Sequence, residues 1–273
     1  MSRTTEEKRA AFRALHREGC FVLPNPWDVG SARMLQHLGF SALASTSSGY
    51  AWTMGRPDYA TTRDDVLAHL QAMSAAVDLP VNADFEAGFS NTIEGVADNV
   101  RLVIATGIAG LSIEDRDVDN GGLYDMTTAL ERLKAARLAI DQSGKDVLLV
   151  ARTEGLLINS EALTPAIDKL VAFADAGADC LYAPGVASKE AIVTMVRAVA
   201  PKPLNVLVWD PAWTVAEMGD LGVRRLSVGG SLASVGWAAT IAAATAIKGG
   251  SFGPLGQSAS GLNGIFEKFV ETR

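Results

Sequence analysis

One short pattern recurs four times along this chain and constrains its fold more than any other feature. A helical stretch is followed by a glycine, and a leucine inside an apolar run comes four residues after that glycine. Glycine is common just past a helix because it adopts the left-handed conformation at little cost. The pattern therefore indicates helices that end in a turn and lead directly into strands. It occurs at Gly39 and Leu43, Gly107 and Leu111, Gly177 and Leu181, and Gly222 and Leu226.

Four further apolar segments of strand length bring the number of predicted strands to eight, and helical patterns separate all of them. The predicted strands are 21–24, 42–45, 80–84, 108–113, 147–152, 180–183, 203–207 and 225–228. Eight strands alternating with helices predict an α/β fold, a (β/α)8 TIM barrel. A doubly wound open sheet is the alternative. No Pro/Ser-rich linker interrupts the chain, so residues 1–273 are predicted to form one domain, ending from about residue 250 in a loop and a last helix.

Composition narrows the class of partner and the compartment. The formal net charge is −7, and no block of like charge is present. This acidic balance argues against nucleic acid or an anionic membrane as a partner. The two cysteines, Cys20 and Cys180, cannot form a disulfide framework, and the N-terminus has no apolar signal segment. A cytoplasmic protein is therefore expected.

Charged residues stand at the ends of three predicted strands. Asp84 and Glu86 close the third strand and point the same way, because side chains alternate along a strand. Glu114 closes the fourth strand and Arg152 the fifth. Barrel enzymes build their active sites where the carboxyl ends of the strands meet, so these groups are expected to converge on a divalent cation and an anionic substrate. The alternative for Arg152 is an ion pair with Glu154 or Glu114.

Other polar residues near the strand ends have two interpretations each. Small residues at 46–50 allow backbone N–H groups to approach an oxyanion. Asp58 either orients that segment or contacts metal-bound water, or it is a turn residue after proline. Asn205 is either a substrate contact or a buried structural hydrogen bond. Asp28 and Asp115 are expected to cap helices.

The residue types that are absent from the predicted strand ends limit the kinds of reaction that the site can support. The histidines His16, His37 and His69 all lie in predicted helices, and no lysine closes a predicted strand. A Schiff-base lysine, a Cys–His pair and a histidine-ligated zinc site are therefore not expected. Oxygen ligands remain, and they suit a hard cation such as Mg²⁺ (or Mn²⁺). Bound to a 2-oxo or 2-hydroxy carboxylate, such a cation polarises the substrate oxygen and stabilises an enolate.

These residues resemble the isocitrate lyase / phosphoenolpyruvate mutase superfamily over most of the chain. The resemblance rests on Ser-Gly-Tyr at 48–50, Pro-Asp at 57–58, Ala-Asp-Phe-Glu-Ala-Gly at 83–88, Ile-Glu-Asp at 113–115 and Ala-Arg-Thr at 151–153. It implies a (β/α)8 barrel whose C-terminal helix is swapped between subunits of a homodimer or homotetramer. It also implies an enzyme that makes or breaks a C–C or P–C bond beside a Mg²⁺-bound 2-oxo acid enolate.

Carried over by position, the resemblance implies a role for each candidate residue. Asp84 is expected to be the direct metal ligand, and Glu86 and Glu114 to act through metal-bound water. Asp58 is expected to assist at the metal shell, and Arg152 to bind substrate. The remaining expected substrate contacts are Ser48, Gly49, Tyr50 and Asn205.

Two departures from the family pattern are visible. The family usually has an aspartate where this chain has Glu86. Isocitrate-type lyases carry a Lys-x-Cys-Gly-His segment after the fourth strand, whereas residues 116–125 contain no cysteine, lysine or histidine, and the gating lysine of the mutases is also missing. Two glycines in this segment still permit lid motion. Tyr124 is the only obvious proton carrier in it.

The sequence therefore predicts a Mg²⁺-dependent enzyme that cleaves a C–C bond of a small 2-oxo or 2-hydroxy carboxylate, as a lyase or a decarboxylase. Decarboxylation needs no cysteine base, which suits residues 116–125. Phosphonomutase or phosphonopyruvate hydrolase chemistry at a P–C bond is the first alternative, although Arg152 and Arg116 are almost the only basic groups expected at the mouth. A barrel that binds a 2-oxo acid without turning it over is the second alternative.

Overall fold

A computed structural model describes residues 2–270, so the last three positions of the predicted C-terminal segment lie outside the described residues. Ten strands are assigned in this part of the chain. They are β1 (Phe21–Leu23), β2 (Leu43–Ala44), β3 (Val81–Asp84), β4 (Gly110–Glu114), β5 (Arg116–Asp117), β6 (Gly122–Leu123), β7 (Leu148–Arg152), β8 (Cys180–Tyr182), β9 (Leu204–Leu207) and β10 (Arg225–Ser227).

The eight predicted strands are all present and pair in parallel in one sheet. Their order is β1-β10-β9-β8-β7-β4-β3-β2, so each strand lies beside its neighbour in the chain around the sheet. The two outer strands meet where the backbone N–H of Ala44 donates to the carbonyl of Pro24 at 3.1 Å. The sheet is thus nearly closed, which confirms the (β/α)8 barrel and excludes the open doubly wound sheet.

Helices follow the strands and cover the outside of the barrel. They are α1 (Thr5–Leu15), α2 (Val29–His37), α3 (Ser47–Thr53), α4 (Arg63–Ala76), α5 (Ile93–Ala105), α6 (Met126–Ser143), α7 (Gly155–Ile158), α8 (Leu163–Asp175), α9 (Lys189–Val199), α10 (Val215–Asp220), α11 (Ser231–Lys248), a 3-10 helix (Gly253–Gln257) and α12 (Leu262–Glu267). Asp28 caps α2 as predicted, because its carboxylate accepts from the backbone N–H of Ser31. None of the helices within residues 2–270 has the length and apolarity needed to cross a membrane.

The barrel interior is apolar at its lower end and polar above it. At the lower end the ring of Phe12, from α1, is fully buried against Leu23 and Leu148. One level higher the buried side chains include Asn82 and Asn205. Barrel interiors are ordinarily filled by layers of branched apolar side chains. The polar layer here leaves room for a cavity that opens toward the carboxyl ends of the strands.

Residues 116–123 form a small structure that the sequence did not predict. Strands β5 and β6 pair in antiparallel fashion, with Arg116 opposite Leu123, and the tight turn uses Gly121 at a φ of 74°. A positive φ is readily adopted by glycine, which has no Cβ. The hairpin follows β4 directly and therefore stands at the carboxyl end of the barrel.

Helix α11 is mostly uncovered. Ala233 is its one buried residue, whereas Val235 and Ile241 are 68% and 61% exposed. After it, α12 lies against α2, where the Arg33 guanidinium stands 5.5 Å from the Phe269 ring centroid. Helix α11, of 18 residues, therefore presents an exposed apolar surface.

Candidate active site

A cavity of about 190 Å³ opens at the carboxyl ends of the barrel strands. Five of the residues predicted for the site line it: Ser48, Asp58, Asp84, Arg152 and Asn205. They come from different strands and loops, and the parallel sheet brings them together because every strand ends at the same side of the barrel. The position agrees with the general location of active sites in this fold.

The centre of this region is Arg152, whose side chain is only 14% exposed. Its Nη1 lies 3.2 Å from Asp84 Oδ1, and its Nε lies 3.3 Å from Glu114 Oε2 and 2.5 Å from Glu154 Oε1. Burial alone would lower the pKa of Arg152, but the three carboxylates outweigh it and the pKa is raised. We call Asp84, Glu114, Arg152 and Glu154 the rim of the cavity. The ion-pair alternative for Arg152 is thus present with both glutamates.

Strand register explains why the rim forms. Glu114 and Arg152 are direct partners across β4 and β7, and Asp84 is paired with Ser112 on β4. Asp84 is held from a third side, because Ser47, the first residue of α3, donates its backbone N–H to Asp84 Oδ2 at 3.1 Å. The carboxylate of Asp84 and the small-residue segment 46–50 are therefore in direct contact, which the sequence did not predict.

Within that segment the three predicted substrate contacts are placed differently. Ser48 lines the cavity. Gly49 is buried where a Cβ would come within 2.6 Å of the Thr46 side chain, so only glycine fits. Tyr50 turns away from the cavity: its hydroxyl donates to the carbonyl of Asp65 at 3.1 Å, and its ring stacks on His69 with centroids 3.9 Å apart. Only the backbone of Tyr50 belongs to the segment that faces Asp84.

Asp58 lines the cavity and also accepts from the backbone N–H of Tyr59 at 3.1 Å, the contact expected of a turn residue after proline. Burial raises its pKa; a hydrogen bond from Ser47 opposes this, and the nearby charge of Asp84 adds to the rise. A carboxyl group with a raised pKa beside a second carboxylate favours either a proton or a cation there.

Glu86 is buried at a φ of 46° and lines a second cavity, of about 250 Å³, instead of the first. Its Oε1 is buried without a hydrogen-bond partner within residues 2–270. Burial raises the pKa of Glu86 to about 8, and the charges of Asp84 and Asp58 add to the effect. Glu114 is similarly buried, accepts from Tyr59 Oη at 2.9 Å and has a raised pKa, chiefly because of burial.

The fit of this region to a divalent cation can be judged from its donors. In the described part of the chain no three Asp, Glu, His or Cys side chains are close enough to form a ready-made metal cage. Mg²⁺, however, usually keeps several waters and needs only one or two protein carboxylates. Several crowded carboxylates share the single guanidinium of Arg152, and Glu86 Oε1 has no partner. This donor set fits a cation held partly through water and does not fit a site with three direct carboxylates.

The second cavity holds the predicted proton carrier and a residue that sequence reasoning missed. Tyr124 lines it beneath the Arg132 guanidinium, 4.3 Å from its ring centroid. Tyr59 lines the same cavity with its ring under Arg116 at 4.8 Å, and it adopts a φ of 62°. The left-handed backbone at Tyr59 gives no signal in the sequence, because tyrosine rarely occupies that region.

Asp115 does not cap the next helix, because α6 is capped by Asp125 instead. It accepts from Thr153 Oγ1 at 2.8 Å, from the backbone N–H of Glu154 at 2.9 Å and from Lys169 Nζ at 2.6 Å. The expectation of a cap was wrong because the buried carboxylate finds stronger donors across the barrel than at the helix. Asp115 thereby fixes the turn that presents Glu154 to the rim.

Beneath the rim, Asn205 lines the cavity and is also part of a buried hydrogen-bond network. Its Oδ1 accepts from Arg225 Nε at 2.8 Å, and its Nδ2 donates to Ser227 Oγ at 3.0 Å. The structural interpretation of Asn205 is therefore observed. Arg225, which sequence reasoning did not single out, lines the same cavity.

Comparisons with known proteins agree with the fold. A family model described as phosphoenolpyruvate phosphomutase matches residues 12–248. An uncharacterized protein of Mycobacterium tuberculosis is 34% identical over 243 residues, covering 88% of this chain and 90% of the relative. The oxaloacetate decarboxylase of Paraburkholderia xenovorans is 28% identical over 227 residues, covering 77% and 73%. A crystal structure from Burkholderia cenocepacia, provisionally described as a lyase/mutase, has a TM-score of 0.92 and 40% identity over 97% of each chain.

The chain belongs to the isocitrate lyase / phosphoenolpyruvate mutase superfamily. The names of its relatives include lyases, decarboxylases and mutases, which supports an enzyme that cleaves a C–C bond or acts as a mutase.

Proposed function

We propose that this protein is a Mg²⁺-dependent enzyme (Mn²⁺ as a substitute) that cleaves a C–C bond of a small 2-oxo or 2-hydroxy carboxylate, as a lyase or a decarboxylase. The observation that carries this proposal is the rim: Asp84 and Arg152 line one cavity, and Glu114 and Glu154 contact Arg152. The relative named oxaloacetate decarboxylase supports the choice of C–C chemistry.

In this proposal Asp84 binds the cation directly, and Asp58, Glu86 and Glu114 bind it through water. When bound, the cation polarises the 2-oxo group and stabilises negative charge on it. The unpartnered Oε1 of Glu86 and the crowding of carboxylates support this assignment.

The protein groups of the cavity bind and orient the substrate. Three carboxylates fix the Arg152 plane through Nε and Nη1, which leaves Nη2 in position to donate to a substrate carboxylate. Ser48 presents its hydroxyl to the cavity. Fixed donors of this kind stabilise developing charge without reorganising during the reaction.

P–C bond chemistry is the second candidate, because the matching family model carries the description phosphoenolpyruvate phosphomutase. A phosphonate carries more charge than a carboxylate and needs basic groups at the mouth. The charge of Arg152 is already opposed by three carboxylates, and Arg116 stacks on Tyr59 in the second cavity. These contacts favour the carboxylate substrate.

A substrate panel tests the proposal. The protein is incubated with Mg²⁺ and oxaloacetate, 2-methylisocitrate, dimethylmalate, phosphonopyruvate or phosphoenolpyruvate, and pyruvate release and phosphorus NMR are followed. We expect turnover of a C–C substrate that Asp84→Ala abolishes and that Asp64→Ala, on an exposed surface pair with Arg63, leaves intact. Turnover only of the phosphorus compounds would transfer the assignment to the second candidate. Ligand binding without any turnover would favour a barrel that only binds 2-oxo acids.

We also propose that the protein is a homodimer or homotetramer in which α11 packs on a second copy. The exposed Val235, Trp237 and Ile241 support this, since α11 has little cover from its own chain. Size-exclusion chromatography with light scattering is expected to show an oligomer that Ile241→Asp dissociates, whereas a monomeric wild type contradicts the proposal.

A further inference from the structure

The lower part of the cavity carries a charge that the proposed chemistry does not use. We call Asn82, Asn205 and Arg225 the floor of the cavity; all three line it and are at most 3% exposed. Asn82 precedes Asp84 by two residues on β3, and Arg225 precedes Ser227 by two on β10. Two residues of a strand rise about 7 Å, so Asn82 lies one inward layer below Asp84 of the rim, and Arg225 lies one inward layer below Ser227, which also lines the cavity.

Every polar contact of Arg225 is with a neutral acceptor. Its Nε donates to Asn205 Oδ1 at 2.8 Å, and its Nη1 lies 3.5 Å from Asn82 Oδ1 and 3.4 Å from His16 Nε2. No ion pair to Arg225 is found within residues 2–270. The charge of this guanidinium is therefore solvated by amide and imidazole dipoles only.

The imidazole below Arg225 does not supply a counter-charge either. His16 Nδ1 lies 2.8 Å from the carbonyl of Phe12, an acceptor, so Nδ1 carries the hydrogen and Nε2 is the lone pair that faces Arg225. Burial, followed by the charge of Arg225, lowers the pKa of His16 to about 3. His16 is thus neutral and orients the arginine from beneath.

An unpaired charge is costly in a buried site. Arg152 avoids that cost through three carboxylates, but Arg225 has none. An anion that enters the cavity would provide the missing partner, and the cavity already connects the floor with Asp84 and Arg152. The excess of negative charge at the rim and of positive charge at the floor would orient a ligand that binds a cation at one end and carries a second negative group at the other.

We propose that Arg225, oriented by Asn82, Asn205 and His16, forms an anion subsite at the floor that binds the far carboxylate of a linear 2-oxo or 2-hydroxy dicarboxylate. This inference rests on the proposed function, because the other end of the same substrate is held at the rim. It selects dicarboxylates from the wider class of 2-oxo and 2-hydroxy acids.

Binding titrations with Mg²⁺ and three different ligands distinguish binding at the rim from binding at the floor. Oxalate has adjacent carboxylates and tests the rim alone. 2-Oxoglutarate places its second carboxylate farther away, and 2-oxopentanoate has the same carbon chain without that carboxylate. Calorimetry is performed on the wild type, Arg225→Met, Arg225→Lys and Arg224→Met. Arg224 is the control because it is the adjacent arginine and contacts the backbone carbonyl of Gly19 outside the cavity.

We expect Arg225→Met to weaken 2-oxoglutarate binding by about 10- to 100-fold, the usual range for a lost hydrogen bond to a charged group. Arg225→Lys should recover part of that loss, and oxalate and 2-oxopentanoate should bind all folded variants alike. Equal weakening of all three ligands by Arg225→Met, or no weakening, overturns the inference. Arg225-dependent 2-oxoglutarate binding without any oxalate binding supports the subsite and refutes the metal-dependent rim. Absence of 2-oxoglutarate binding to the wild type overturns the inference. Cooperative thermal unfolding identifies the variants that are folded.

Discussion

The rim and the floor of the cavity each contain one largely buried arginine, in opposite surroundings. Arg152 contacts Asp84, Glu114 and Glu154, whereas within residues 2–270 the polar contacts found for Arg225 are with amide and imidazole acceptors. The arginine side chain therefore has opposite electrostatic surroundings at the two levels of the barrel. At the rim three carboxylates surround one arginine, and this excess of negative charge favours the binding of a cation. At the floor the arginine has no counter-charge among the described residues, and this favours the binding of an anion.

The largest difference between the two levels is expected in stability without ligands. Arg152→Met leaves three carboxylates without their partner, and breaking a buried ion pair typically costs about 3–5 kcal/mol in the free energy of unfolding. Arg225→Met leaves neutral acceptors unpaired, which costs about 1–3 kcal/mol, but it also removes a buried charge without a counter-charge, so we expect a net loss below that range. Urea denaturation of both variants and the wild type measures the difference. Equal losses would show that the two arginines are stabilised in the same way.

The second prediction concerns the binding of a cation at the rim. Asp84→Asn keeps the size of the side chain and removes its charge, so we expect the rise in melting temperature caused by Mg²⁺ with oxalate to disappear. Any turnover found in the substrate panel should fall by about 100-fold or more, beyond the usual range for groups that only orient a metal ligand. The exposed Asp64→Asn is the matched control. A Mg²⁺ response retained in Asp84→Asn would place the cation elsewhere.

The rim and the floor also differ in how well the sequence predicts them. The eight strands and the barrel could be predicted because apolar runs and glycine-ended helices are local features of the chain. Asp84, Glu114 and Arg152 could be predicted as neighbours because each closes a strand and all strands end on one side. The rim could therefore be predicted from the sequence.

The floor could not be predicted in this way. Arg225 begins its strand, and nothing local shows that its side chain faces a cavity lined by Asn82 and Asn205. Asp115 was mistaken for a helix cap because its real donors, Thr153 and Lys169, lie far away in the chain. Contacts that depend on the closure of the barrel leave no periodic signal.

The two levels should also respond to pH with opposite sign. Beside the rim, in the second cavity, the pKa of Glu86 is about 8 in the folded protein, against an ordinary value of 4.5. Between these values the folded state binds more protons than the unfolded state, so stability without metal falls as pH rises through this window, by up to about 1.4 kcal/mol per pH unit. At the floor the pKa of His16 is about 3 instead of 6.5. The unfolded state then binds more protons, so stability is lost as pH falls from 6.5 toward 3.

Variants separate these two contributions, which overlap between pH 4.5 and 6.5. Glu86→Gln should reduce the fall in stability between pH 6.5 and 8, to which the raised pKa of Glu114 also contributes, and His16→Gln should reduce the loss below pH 4.5, to which the lowered pKa of His69 also contributes. Denaturation midpoints measured across the pH range provide the comparison with wild type. If Glu86→Gln changed only the acidic branch, the assignment of the slopes to rim and floor would be reversed.

The smallest effect tests whether the rim depends on a residue outside the charged set. Tyr59 donates its hydroxyl to Glu114 Oε1 at 2.9 Å, so Glu114 is held by both Tyr59 and Arg152. Tyr59→Phe should cost about 0.5–1.5 kcal/mol in the free energy of unfolding and raise the pKa of Glu114, since the hydrogen bond lowers it. Mg²⁺ binding should consequently weaken by a small factor in calorimetry.

Tyr50→Phe is the matched control, because its hydroxyl bonds the carbonyl of Asp65 away from the cavity. It should lose a similar amount of stability without changing the affinity for Mg²⁺. If both variants left Mg²⁺ binding unchanged, Arg152 alone would suffice to hold Glu114 in place. The carboxylate surplus at the rim would then be organised by a single arginine, and the contrast with Arg225 would be stronger than the present contacts imply.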